Sequence, residues 1–298
     1  MLGNDVIAII GGDLRQIYMA DLLIKKNFNI VTYGLDKKDF NGKGLDVPWK
    51  KAKSLKDVIN TGNIIIGPIP VTRDNFLIYT KEGKKDLKIT ALTEELHKGQ
   101  IFIGGNIPSS ISSACMEKEI PYYDLMKNNE VAILNSIATA EGTIKEAIRH
   151  STINLHNSRC LILGYGRCAK VLAKKLSGLD AKVTICARKS EDLSSAVSFG
   201  YYGILLSNLK EYISDFDYII NTIPFVVLTK ELLMLVSSDA TIIDIASAPG
   251  GLDYDYVKEK NLNARLCLGL PGKIAPKASA NILVDAIFKI IKNPNQEK

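Results

Sequence analysis

Cys160-Leu161-Ile162-Leu163-Gly164-Tyr165-Gly166-Arg167-Cys168-Ala169 is the stretch that decides the fold. An apolar run passes into G-x-G-x-x-A and then into a helical pattern, which reads as strand, tight turn and helix. Gly164 permits the turn, Gly166 lets a ligand approach the backbone, and Ala169 keeps the helix close to its sheet. A pyrophosphate in the Gly164–Cys168 turn, past Tyr165, meets the N–H groups and positive end of the helix that opens near Arg167. The glycines alone are a weak signal. Here strand, turn, helix and second strand occur in one unit of the right length, which predicts a dinucleotide site.

The second strand of that unit ends in Ala187-Arg188-Lys189. A site preferring NAD usually carries an acid there to bind the ribose 2′-hydroxyl. Arg188 can instead grip a 2′-phosphate in bidentate fashion while Lys189 adds a point charge, so NADP is expected ahead of NAD. The alternative is a solvated basic turn. Further along, Thr222-Ile223-Pro224 follows Asn221, and Ala246-Ser247 follows Asp244-Ile245. Both segments fall at carboxyl ends of predicted strands, where open parallel sheets bind ligands, so their backbone is expected to line the cofactor.

Working outward, strands are expected at 182–186, 202–205, 218–220, 241–245 and 265–268. Upstream, a β-turn-α-β opening comprises a strand at 6–10, Gly11-Gly12-Asp13, a helix over 14–26 and a strand at 28–33. More strands are predicted at 63–66, 100–103 and 120–123, with helical stretches at 93–98 and after Pro108. Strand alternating with helix implies parallel sheets covered on both faces. The expected fold is therefore α/β, two Rossmann-like doubly wound domains. Ser136 is read as the cap of a connecting helix over 137–150, with Ile137, Ile144, Ala147 and Ile148 on its packing face. This divides the chain into a substrate or catalytic domain (1–135), a connecting helix (136–155), a nucleotide domain (156–275) and a C-terminal helix (276–298) returning toward the first domain.

The chain has 298 residues, 46% hydrophobic and 23% charged, enough for two cores. Its net charge of +6 is scattered, with no basic block interleaved with aromatics, which argues against a nucleic-acid partner. Five dispersed cysteines without CxxC or histidine at ligand spacing predict a reducing compartment and no metal site. No signal-peptide pattern and no apolar run of about 20 residues is seen, so a cytoplasmic protein without a membrane partner is expected.

Gly11-Gly12-Asp13-Leu14-Arg15-Gln16, Asn135-Ser136 with Glu141-Gly142-Thr143, the Gly164 turn, Asn221-Thr222-Ile223-Pro224, the segment 246–251 and Leu270-Pro271-Gly272-Lys273-Ile274-Ala275-Pro276-Lys277 occur in that order. In this the chain resembles the A-subunit family of dipicolinate synthase over nearly its whole length. Cys168-Ala169 stands where Thr-Gly is expected, and Ala138 where proline is expected. The resemblance implies the two-domain arrangement of formate/glycerate dehydrogenases. It also implies work with a second, flavoprotein-like B subunit of dipicolinate synthase in the mother cell of a spore-forming bacterium, on dihydrodipicolinate or its hydroxylated precursor.

A planar dicarboxylate needs cationic or N–H anchors, and the chemistry needs a proton acceptor. Gly12, Asp13 and Arg15 are expected to face substrate, since Gly11-Gly12-Asp13 lacks G-x-G-x-x-G. Arg15 holds one carboxylate or forms a structural pair with Asp13. Lys273 and Lys277, read as lying in a Pro/Gly loop, hold the second carboxylate, take a proton, or are solvated. Glu141 is a base or simply sits near the positive start of the connecting helix; Ser136 and Thr139 are caps or ligands. No histidine occupies the acid/base place of 2-hydroxyacid dehydrogenases. A stand-alone NADP-dependent dehydrogenase or reductase of another small carboxylic acid and a non-catalytic, cofactor-binding regulatory subunit are the competing readings. A homo-oligomer is compatible with all three.

Overall fold

A computed structural model describes residues 5–35, 49–81 and 86–292. The chain divides into two compact units, 1–134 with 275–298, and 135–274. In the first, strands β1 (Val6–Ile10), β2 (Asn29–Tyr33), β3 (Lys50–Lys51), β4 (Ile64–Ile66), β5 (Ile101–Gly104) and β6 (Tyr122–Asp124) form a parallel sheet ordered β3-β2-β1-β4-β5-β6. Helices α1 (Leu14–Lys25), α2 (Leu55–Thr61), α3 (Ile89–Glu95) and α4 (Ser109–Glu117) connect them, and α5 (Asn129–Arg149) leads into the second unit.

The second sheet contains β7 (Arg159–Leu163), β8 (Lys182–Ala187), β9 (Tyr202–Leu205), β10 (Tyr218–Asn221), β11 (Thr241–Asp244) and β12 (Ala264–Leu266). All its pairings are parallel, and its order is β12-β11-β10-β7-β8-β9. Helices α6 (Arg167–Ser177), α7 (Ser190–Ser198), α8 (Leu209–Tyr212), α9 (Lys230–Leu233), α10 (Tyr254–Glu259) and α11 (Leu270–Ile274) belong to this unit, while α12 (Pro276–Lys292) belongs to the first. Each sheet thus reverses its winding beside its first strand, between β1 and β4 and between β7 and β10. At such a switch the connections leave to opposite faces and open a crevice at the carboxyl edge.

Alternation along the strands builds the cores. On β1, Ile7 and Ile9 pack with Ile17 and Leu23 of α1 and Leu283 and Ile287 of α12, while Ala8 and Ile10 face the opposite cluster around Val58, Leu92 and Ile111. On β7, Cys160 and Ile162 meet Ala169, Leu172 and Leu176 of α6, and Leu161 and Leu163 face Leu209, Ile213 and Leu233. These are continuous apolar strands, as a sheet covered on both faces requires, and each fully buried isoleucine or leucine contributes about 1.5–3 kcal/mol.

Four expectations are corrected. The helix placed at 93–98 lies at Ile89–Glu95. Ser136 is no cap: α5 begins at Asn129, and the Asn128 side chain accepts from the Val131 amide at 3.2 Å, leaving Ser136 buried inside the helix. The packing face of α5 is also partly different: Ile144 and Ala147 pack against the core as expected, but Ile137 and Ile148 are exposed, and Ala140 and Gly142 are buried in their stead. A Cβ on Gly142 would stand 2.9 Å from Ile274 and 3.0 Å from Leu270, so the contact is made through small residues. Finally, the Pro/Gly loop expected around Lys273 and Lys277 is mostly helical. Lys273 lies in α11, and Pro276 sits in the first turn of α12, where its missing N–H costs no helical bond, so Lys277 falls in that turn.

Candidate functional site

The carboxyl edge of the second sheet carries the residues of the predicted nucleotide site. Gly164 adopts φ +93°, a conformation side chains disfavour, and its position is roofed by Thr222 and Ile223: a Cβ there would stand 2.7 Å from Thr222 Oγ1. Gly166 caps α6, and among the described residues nothing lies within 4 Å of where its Cβ would be. Having no side chain, Gly166 also leaves the first-turn amides of α6 uncapped from that position. An open backbone at a helix start is what an anionic ligand needs. Tyr165 is buried, Arg167 exposed and Cys168 half-buried, the Cys168 thiol pushed up by burial despite Arg167 and a hydrogen bond with Thr139.

Arg188 and Lys189 are both exposed immediately beyond β8. Thr222 donates through its amide at 3.1 Å and its hydroxyl at 2.7 Å to the Leu163 carbonyl, fixing the loop after β10 to the strand before the glycine turn. Ile223 and Pro224 continue this loop, and Ala246 and exposed Ser247 follow β11. The structure therefore brings the sequence-predicted cofactor residues to one sheet edge.

Sequence reasoning passed over what holds these loops. Asp244 is fully buried, and its Oδ1 accepts from Asn221 Nδ2 at 2.9 Å and the Ala246 amide at 3.0 Å. Its Oδ2 accepts from the Gly251 amide at 2.7 Å and the Tyr254 hydroxyl at 2.9 Å. A charged residue ending an otherwise apolar strand was the available signal.

The corresponding turn of the first unit is built differently. Gly11 and Gly12 have φ +59° and +114°, and the chain itself crosses them: the Gly12 amide donates to Tyr79 O at 2.7 Å, and the Lys81 amide donates to Gly12 O at 2.9 Å. A Cβ on Gly11 would stand 2.6 Å from Tyr79 O. Asp13 caps α1, accepting from the Arg15 amide, while Gln16 Oε1 accepts from the Asp13 amide at 2.9 Å. Arg15 is buried and grips Asp13 through Nε at 2.9 Å and Nη2 at 2.8 Å, with Nη2 also donating to Ile69 O. The structural pair weighed for Arg15 is thus formed. Burial pushes the Asp13 carboxyl up, but the hydrogen bonds and charge of Arg15, with Arg73 adding, outweigh it and hold it below its ordinary value.

The remaining expected residues are dispersed. Glu141 is no helix start: it lies well inside α5, half-exposed, and pairs with Lys175 of α6 at 2.9 Å. Thr139 donates to Asn135 O at 3.1 Å, a bond within the helix. Lys273 and Lys277 are exposed and lie in different units. Among the described residues no cluster of metal-ligating side chains occurs, and no helix is long and apolar enough to cross a membrane.

Two family models match the chain: the N-terminal domain of the dipicolinate synthase A subunit over residues 6–126, and the NAD binding domain of D-isomer specific 2-hydroxyacid dehydrogenases over 129–249. The A subunit of dipicolinate synthase from Bacillus subtilis (strain 168) is 30% identical, over 100% of this chain and 99% of its own. The crystal structure of the corresponding A subunit from Bacillus halodurans superposes with TM-score 0.85 at 32% identity, covering 98% of this chain and 99% of that one. A transhydrogenase from Sinorhizobium meliloti shares the fold, at TM-score 0.64 and 11% identity over 98% and 96% of the two chains.

Proposed function

From the premise that this chain belongs to the A-subunit family of dipicolinate synthase, we propose that it is the NADP-dependent oxidoreductase component that completes dipicolinate formation during sporulation. It acts with the flavoprotein-like B subunit on dihydrodipicolinate, or on the hydroxylated precursor after loss of water. The observation that carries the reading is the open Gly166 turn at the switch point of the second sheet, with Arg188 exposed beyond the neighbouring strand. The residues fit a phosphorylated dinucleotide: α6 faces it with amides, Gly166 leaves room, and Arg188 and Lys189 take the 2′-phosphate.

A bound NADP⁺ would supply the hydride acceptor for oxidation of a dihydropyridine ring to the aromatic product, with one proton left for the protein or solvent to take up. The chain's own task is to position the ring and receive the proton. Lys273, exposed in the same unit as the glycine turn, is the proposed anchor for a substrate carboxylate, and Glu141, although held by Lys175, is the candidate proton acceptor. Arg15 serves through Asp13, fixing the start of α1, because its guanidinium is already committed to that carboxylate.

The test is to mix the purified chain, with and without the B subunit, with enzymatically generated dihydrodipicolinate and NADP⁺, and to follow dipicolinate absorbance. Product that requires both proteins and consumes NADP⁺ supports the proposal. Product from this chain alone points to an independent dehydrogenase, and product from the partner alone to a regulatory role for this chain.

A further inference from the structure

The Asp244 carboxylate is a buried charged group that the chemistry above leaves unused. It is fully buried yet meets four donors, from the side chains of Asn221 and Tyr254 and the amides of Ala246 and Gly251. A buried carboxylate is costly unless donors meet its oxygens, and one met this fully rigidifies the groups around it. Its partners come from the end of β10 (Asn221), the loop after β11 (Ala246 and Gly251) and the first residue of α10 (Tyr254), and Asn221 carries the contact on into the loop after β10.

The contacts continue to the glycine turn. Asp244 lies beside Asn221 in the sheet register, and Asn221 beside Leu163. Asn221 donates to Ile223 O at 3.0 Å and accepts from the Ile223 amide at 3.1 Å, which folds its loop back over itself. In that fold Thr222 is bound to the Leu163 carbonyl, and Thr222 and Ile223 form the roof over Gly164. On the other side, a Cβ on Gly250 would stand 2.6 Å from Asp244 Oδ2, and one on Gly251 2.2 Å from Asn221 Nδ2. The two glycines are therefore needed for the second loop to close on the same carboxylate.

We propose that Asp244 is a positioning residue for nucleotide binding, clamping the loops after β10 and β11 so that Thr222 and Ile223 stand at a fixed height over the Gly164 turn. Tyr254 is its outer brace. Burial, then the hydrogen bond to Asp244 and its negative charge, push the Tyr254 phenol well above its ordinary range, so it remains a donor. The inference rests on the reading of the second unit as a dinucleotide site.

Asp244→Asn keeps the shape but places an NH₂ against donors on one side or the other. On the Oδ2 side the tyrosine hydroxyl can turn to accept, whereas the Gly251 amide cannot. Tyr254→Phe removes one donor and leaves the carboxylate three. With NADPH fluorescence as the readout on full-length, folded protein, dissociation constants should rise about tenfold for Asp244→Asn and about threefold for Tyr254→Phe. Thermal midpoints, measured alongside, identify any folding loss, and titrations well below those midpoints report the folded site alone. Folded variants that bind NADPH as tightly as wild type overturn the positioning role. A wild-type chain that binds no dinucleotide overturns instead the reading on which it stands.

Discussion

The two glycine turns at the switch points of the two sheets have the same strand-turn-helix plan and opposite states. After β7, Gly166 starts α6 with nothing among the described residues within 4 Å of its Cβ position, and no side chain at that position caps the helix. After β1, residues 79–81 hydrogen-bond across Gly12, Asp13 and Gln16 close a capping box, and the Asp13 carboxylate puts negative charge where an anion would have to rest. The same backbone solution thus serves two ends. Whether a β-turn-α unit binds a phosphate depends on what the rest of the chain places over the turn, which the glycines themselves do not reveal.

The comparison breaks most visibly under substitution by valine. Gly12→Val meets the Gln16 side chain at 2.4–2.6 Å from a φ of +114°. It should destabilise the first unit by about 4 kcal/mol, adding backbone strain to overpacking, and chemical denaturation will show this as a lower midpoint. Gly166→Val meets no protein atom within 4 Å among the described residues. It should leave the thermal midpoint nearly unchanged and weaken NADPH roughly 100-fold by occupying the ligand's approach. Equal stability losses in the two variants would erase the distinction.

A smaller effect sharpens the nucleotide side. Arg188→Asp should shift preference from NADPH toward NADH by about tenfold, through loss of the bidentate grip and gain of a repelling charge; unchanged selectivity in paired titrations would remove the 2′-phosphate assignment. The smallest effect concerns the closed turn. Because the Asp13 carboxyl titrates below its ordinary 3.8 in the folded chain, its stabilising effect is complete above that value and lost as pH falls through the lower folded one. The stability advantage of wild type over Asp13→Asn should therefore shrink as pH falls below 3.8 and through the lower folded value. An advantage independent of pH over that range would show that the pair with Arg15 contributes nothing through charge.

The second unit was legible because most of its strands centre on short runs of apolar residues and its turn chemistry is local: Gly164, Gly166 and Arg188 can be placed by counting. The first unit's sheet was legible for the same reason, apart from the two-residue strand Lys50–Lys51, whose exposed lysines carry no apolar signal. What escaped depends on contacts distant in sequence. Nothing near Gly12 announces that residues 79–81 will cross it, and nothing near Asp244 announces the donors at 221 and 254. On α5, the apolar spacing that starts at Ile137 points to Ser136 as the cap, whereas the helix begins seven residues earlier at Asn129. The helix in fact packs through alanine and glycine, whose small size is informative only once Leu270 and Ile274 are seen against Gly142.

The central claim is that one glycine turn is open to a dinucleotide and the other is closed by its own chain. Calorimetric titration of NADPH into the purified full-length protein tests it most directly. The account predicts a single site per chain, abolished or severely weakened in Gly166→Val. Two sites per chain would show that the turn at Gly12 also takes a nucleotide, and no heat of binding would show that the turn at Gly166 does not.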